Sequence, residues 1–218
     1  MKFIIPLIIA YLVPEPANAE NETGLLVKAG GNAAILAEDH RYNIYGLTGG
    51  IAGYLRHTLG GQFSLGGQID LLYTPRGAKV MDGSDYLGQS RLNYIDTALS
   101  LQPHMQFGAI SIYLVIGGEL SFLLNADKEN ASGAHLDITA DLRKIDVALL
   151  GGAGVAWHLG NSATSTFRID AVSLEARHDI GLLDTDMVNG GFKNRSSSLM
   201  LGLSFVLGGS PSGTSPQP

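Results

Sequence analysis

Six histidines are the first residues of this chain that could bind a metal or move a proton: His40, His57, His104, His135, His158 and His178. No two of them stand four apart around a glutamate, and there is no cysteine to complete a thiolate set. The spacings of the known zinc motifs are therefore missing. Arg177-His178-Asp179 is the cluster that most suggests proton transfer. On a strand, successive side chains point to opposite faces, so His178 would turn away from Asp179. No serine stands within two residues on the histidine's face to act as nucleophile. Two glycine-rich runs, Gly49–Gly53 and Gly151–Gly154, could cradle a phosphate. They lie inside strand-like patterns rather than at a strand-to-helix turn, so they read as curvature and close packing. No catalytic residue, cofactor or metal ligand is expected, and no enzymatic activity.

What remains is a set of charges placed at every second residue, and the elements that position them are strands. In 107–124, Ile110, Ile112, Leu114, Ile116, Leu120 and Phe122 fall on one face, with Ser111, Tyr113, Gly117, Glu119 and Ser121 on the other. That alternation is the mark of a strand with one apolar and one polar face. The same pattern recurs at 62–73, 94–102, 144–159 and 196–207, more weakly at 25–35 and 47–58, and with a change of phase at 166–180. The phase change places a bulge near Ala171-Val172. Connections alternate in length: long at about 36–46, 75–90, 125–141 and 181–195, short at about 59–61, 103–106 and 160–163. Eight strands with short turns at one end and long loops at the other predict an all-β fold, an antiparallel up-and-down transmembrane β-barrel.

Bulk properties agree. Lys2, an apolar run from Phe3 to Val13 and Ala17-Asn18-Ala19 have the form of a secretory signal peptide. The expected organisation is a signal peptide over 1–19, a barrel over 20–208 and a disordered tail over 209–218. The net charge of −6 disfavours nucleic acid as a partner. The long loops, with Tyr42, Tyr45, Tyr86 and Phe192, are candidates for contact with an extracellular ligand or protein. Period alone does not say which face is wet. A soluble carrier of lipocalin type would turn the apolar face inward, and a membrane barrel turns it outward.

Several segments are similar to the PorT-like outer-membrane β-barrel domain family. They are Val27-Lys28-Ala29-Gly30, Leu92-Asn93-Tyr94-Ile95-Asp96, Leu149 to Val155, Ser173-Leu174-Glu175-Ala176-Arg177, and Asn194-Arg195-Ser196 through Leu201 to Phe205. The resemblance implies an eight-stranded barrel in the outer membrane of a Gram-negative cell, delivered by the signal peptide and inserted by barrel-assembly machinery. It carries no catalytic residues. The chain departs from many such barrels in continuing well past Phe205.

With the apolar face outward, the lumen receives Lys28, Arg56, Gln68, Asp70, Asp96, Glu119, Asp146, Arg168, Asp170, Glu175 and Arg177. An eight-stranded barrel leaves room only for side chains or one small ligand, so these charges are expected to pair and fill it. Strand direction puts Lys28, Arg56, Arg168 and Asp170 in the inner half and Asp70, Asp96, Glu119, Asp146, Glu175 and Arg177 in the outer half. Arg177 is then expected to be the hub of the outer half, paired with Glu119, Asp146 or Glu175. The alternatives are a narrow channel or transport accessory, and the soluble carrier.

Overall fold

The computed structural model describes residues 21–36, 41–82, 85–159, 167–184 and 193–207. The expected signal peptide, the expected tail, His40 and Phe192 lie outside the described residues, as do the side chains of Tyr42 and Arg168.

Among the described residues nine strands follow one another: β1 (Asn21–Leu36), β2 (Arg41–Gly60), β3 (Phe63–Asp82), β4 (Asp85–Phe107), β5 (Ile110–Asn130), β6 (His135–Asp137), β7 (Ile145–His158), β8 (Phe167–Gly181) and β9 (Asn194–Leu207). All pairings are antiparallel. Each long strand pairs with the next, β5 passing over β6 to β7, and β9 closes on β1 from Gly24↔Val206 to Leu36↔Asn194. β6 is a short addition on the outer end of β5, from Asp127↔Asp137 to Glu129↔His135. The other eight form a ring, so the wall has no unpaired sheet edge and its backbone polar groups are satisfied within the wall.

The wall answers the question of sidedness. Leu99, Ile116 and Leu201 are more than 60% exposed on the outside, whereas Lys28, Asp70, Arg76 and Asp96 are at most 2% exposed within. A soluble carrier has the opposite arrangement; this is a transmembrane barrel. Aromatic residues stand near both ends of the apolar outer surface, Trp157 and Phe107 at the short-turn end, Tyr45 and Tyr73 toward the long hairpins. Such girdles suit the two membrane interfaces, where an amphipathic ring meets headgroups.

Three expectations change, besides the start of β2 at Arg41 inside the connection expected at 36–46. The segment 75–90 is not a loop: β3 and β4 run on as a paired hairpin to Asp82 and Asp85. Pro75 and Gly77 looked like turn signals. Pro75, which has no N–H to give, lies where the β2–β3 ladder is interrupted between Asn43 and Gly49. Gly77, at φ 140°, supplies a backbone conformation that other residues avoid. In the second change, the short turn expected at 103–106 moves to 108–109, with Gly108 at φ 60°. Pro103 again falls in a gap of a ladder, the one between β4 and β5. In the third, β5 extends to Asn130, so much of 125–141 is strand. The bulge on β8 is present: the register shifts between Ile169 and Ala171, leaving Asp170 as the extra residue.

Candidate functional site

The polar groups of the lumen form three layers. In the middle one, Lys28 Nζ contacts Asp70 at 3.1 Å and Glu175 at 2.9 Å. Arg177 reaches the same two carboxylates, Nη2 donating to Asp70 at 2.9 Å and Nε to Glu175. Gln68 Nε2 donates to Asp70 at 2.9 Å, and the Tyr113 hydroxyl to Glu175 at 3.1 Å. Two cations and two carboxylates balance. Glycines stand beside the long cationic side chains: Gly50 and Gly202 flank Lys28, and Gly152 faces Arg177 across its ladder, Gly50 and Gly152 coming from the two runs expected to serve close packing. At Gly50 and Gly152 a Cβ would collide with a carbonyl of the neighbouring strand.

The outer layer is built on Arg76. Its guanidinium donates to Asp96 at 2.9 Å and to Glu119, approaches Asp146 at 3.9 Å, and lies 5.1 Å from the centre of the Tyr94 ring. Ser121 donates to Glu119 at 3.2 Å, Asn194 Nδ2 to Asp146 at 2.8 Å, and Ser196 to Asp179 at 2.9 Å. Beyond this layer Leu92, Tyr94, Leu123 and Ala126 pack with Ile138 and Leu142, the last two from the connection between β6 and β7. An apolar cap thus covers the charged layer at the outer mouth.

In the inner layer, Arg56 donates to Glu22 at 2.7 Å and lies 3.8 Å from Asp170, while the Tyr54 hydroxyl donates to Glu22 at 2.9 Å. Asp170, turned inward by the bulge, accepts from His158 Nδ1 at 3.2 Å, and His158 Nε2 meets Ser111 Oγ at 3.2 Å. The order serine, imidazole, carboxylate is that of an acyl-transfer triad. Ser111 is only 2% exposed and does not line the neighbouring cavity, so the trio reads as a polar plug. That cavity, of about 50 Å³, is lined by Tyr54, Arg56, Gln102, His104, Tyr113 and His158 among others. It is of the size of one or two waters.

Several expected partners are therefore exchanged. Arg177 does bond Glu175, but Glu119 and Asp146 belong to Arg76, so Arg177 is not the outer hub. Lys28 joins Asp70 and Glu175 in the middle rather than an inner layer. Arg76, Glu22 and Asp179 were missed. The loop expected at 75–90 hides Arg76, although it stands two residues beyond Thr74 in phase with Gln68 and Asp70. His178 faces outward and bonds Ser197 Oγ at 2.9 Å, apart from Arg177 and Asp179. Among the described residues no group of three or more His, Asp or Glu side chains is arranged to hold a metal ion directly.

No protein-family model matches the chain, and no curated protein does, so the PorT-like resemblance has no model behind it. Solved barrels do align with it. Ail, the attachment invasion locus protein of Yersinia pestis, in complex with the heparin analogue sucrose octasulfate, aligns at 13% identity, covering 86% of this chain and 99% of that one, with a TM-score of 0.47. Neisserial surface protein A aligns at 15% identity, 83% and 95% coverage and a TM-score of 0.44. The outer membrane protein OprG of Pseudomonas aeruginosa aligns at 10% identity, 88% and 97% coverage and a TM-score of 0.43.

Proposed function

We propose that the protein is an outer-membrane barrel of a Gram-negative cell whose lumen is a structural plug and whose activity lies at its outward end. The sidedness of the wall carries this reading: side chains such as Ile116 and Leu201 are stable only against lipid, and ion pairs such as Arg76–Asp96 fill the space a solute would use. The outward end is built for contact. Beyond the apolar band, β3, β4, β5 and β6 continue as a paired sheet, on which Leu87 and Leu136 are 51% and 62% exposed among charged neighbours. A rigid, mixed apolar and polar surface facing the medium suits an extracellular ligand or protein. Delivery by the signal peptide and insertion by barrel-assembly machinery complete the proposal. Planar-bilayer recording of the refolded barrel tests the plug: a quiet bilayer is expected, and reproducible single-channel steps would make it a narrow channel instead.

A further inference from the structure

The outer layer of the lumen holds more negative charge than its own residues neutralise. Asp96, Glu119 and Asp146 all contact Arg76, and Asp179 lies close enough to Arg76, Asp96 and Glu119 to interact with each electrostatically. One guanidinium contacts three of these carboxylates, and Asp179 feels both Arg76 and Arg177. Lys28 and Arg177 are themselves engaged with Asp70 and Glu175, so across the two layers three cations face six carboxylates. Lys79, Arg91 and Lys144 are exposed, and Lys144 donates outward to the Thr139 carbonyl at 2.6 Å. With lipid around the wall and an apolar cap above, carboxylates crowded in such a space must either take up protons or be matched by a further positive charge.

The same layer has three acceptor atoms without donors, beside one donor without an acceptor, Arg76 Nε. Asp96 Oδ1, Asp179 Oδ1 and Asn194 Oδ1 are buried and make no hydrogen bond. The Asn194 amide is held with its nitrogen toward Asp146 at 2.8 Å and the Tyr94 hydroxyl at 3.4 Å, which leaves the oxygen free. Asn194 is 2% exposed and Asp96 is 1% exposed. Three strands, β4, β8 and β9, each contribute one of these open oxygens.

We propose that this layer binds one hard divalent cation of the calcium class, held by oxygens of Asp96, Asp179 and Asn194, with water completing its shell. Donors that are all oxygen select hard cations over zinc or copper. Calcium accepts six to eight oxygens in irregular arrangements, whereas magnesium demands a near-ideal octahedron. Two carboxylates and an amide also explain why no set of three acidic or imidazole side chains converges here. The cation neutralises the layer beneath the cap, so it stabilises the folded barrel.

The full chain refolded in detergent at fixed ionic strength, in calcium chloride or in EDTA, gives the test. Thermal unfolding followed by circular dichroism should shift upward by ~3 °C or more in calcium. Asp179→Asn and Asp96→Asn should each abolish the shift, while Asp137→Asn, on the exposed strand β6, should keep it. Terbium offered in place of calcium should show luminescence sensitised by Tyr94, lost in Tyr94→Phe. Equal midpoints in calcium and EDTA, or a calcium shift that survives in both Asp179→Asn and Asp96→Asn, would overturn the proposal. If either variant fails to refold, competition of calcium for terbium in the wild-type barrel decides: displacement supports the site, and no Tyr94-dependent signal refutes it.

Discussion

Replacing Arg76 by methionine is the perturbation that most sharply separates the two buried cation layers. Among the described residues Arg76 is the sole cation in contact with Asp96, Glu119 and Asp146, so Arg76→Met strands all three carboxylates inside the wall. Breaking a buried pair by removing one partner costs about 3–5 kcal/mol, because the other charge stays behind without compensation. Arg177→Met is a different case. Lys28 remains at 3.1 Å from Asp70 and 2.9 Å from Glu175, so the loss is nearer that of charge-assisted hydrogen bonds, about 1.5–3 kcal/mol. Urea unfolding of the refolded barrels, followed by circular dichroism, should rank wild type above Arg177→Met above Arg76→Met. Acid should narrow the Arg76→Met defect, since protons can then neutralise what the guanidinium no longer does. Adding Glu119→Gln to Arg76→Met should recover part of the loss, a coupling that a double-mutant cycle measures. If Arg76→Met unfolds at the wild-type midpoint, or is milder than Arg177→Met, the assignment of layers is wrong.

Further expectations concern the wall and the outward end. Leu114, 53% exposed on the outer surface, should tolerate arginine poorly, with a loss of about 2–4 kcal/mol if it lies near the bilayer midplane. The adjacent Val115 is fully buried in the lumen, so Val115→Arg should prevent refolding rather than weaken it; equal, mild defects in both variants would contradict the sidedness. Trypsin added to intact cells should cut at Lys128, exposed near the end of β5, or at Arg143, exposed in the connection between β6 and β7; protection until lysis would invert the topology. The Thr139 hydroxyl first, and then its backbone N–H at 2.8 Å, hold the Asp137 carboxyl below the usual range. A carboxylate NMR titration should find it there, and Thr139→Val should raise it.

The fold was legible because one rule, alternation at period two, governs every part of the wall in contact with lipid. Ile110 to Phe122 on β5 shows it without interruption, and its charged counterparts fell inward as parity requires. The rule weakens where the strands leave the apolar band. There, β3 and β4 continue as a ladder past the lipid, water tolerates any outer face, and Pro75 and Gly77 imitate a turn. That is why Arg76 was lost to a supposed loop, and with it the outer hub. Partner choice within the lumen was legible only in kind. Lys28, Asp70, Glu175 and Arg177 were all placed inside, but which of them meet depends on the stagger of strands around the ring. Closure of β9 on β1, pairing Lys28 with Gly202, sets that stagger, and no short stretch of sequence encodes it.

Trp157, the chain's one tryptophan, reports on the central claim directly. It is 64% exposed on the outer surface at the short-turn end of the wall, opposite Ile110. Refolded into vesicles whose acyl chains carry bromine, the barrel should show strong quenching of tryptophan emission. Bromine near the headgroups should quench more than bromine near the bilayer centre. Emission indifferent to the brominated lipid would mean that the apolar face does not meet the membrane, and the account of this protein as a membrane barrel would fail.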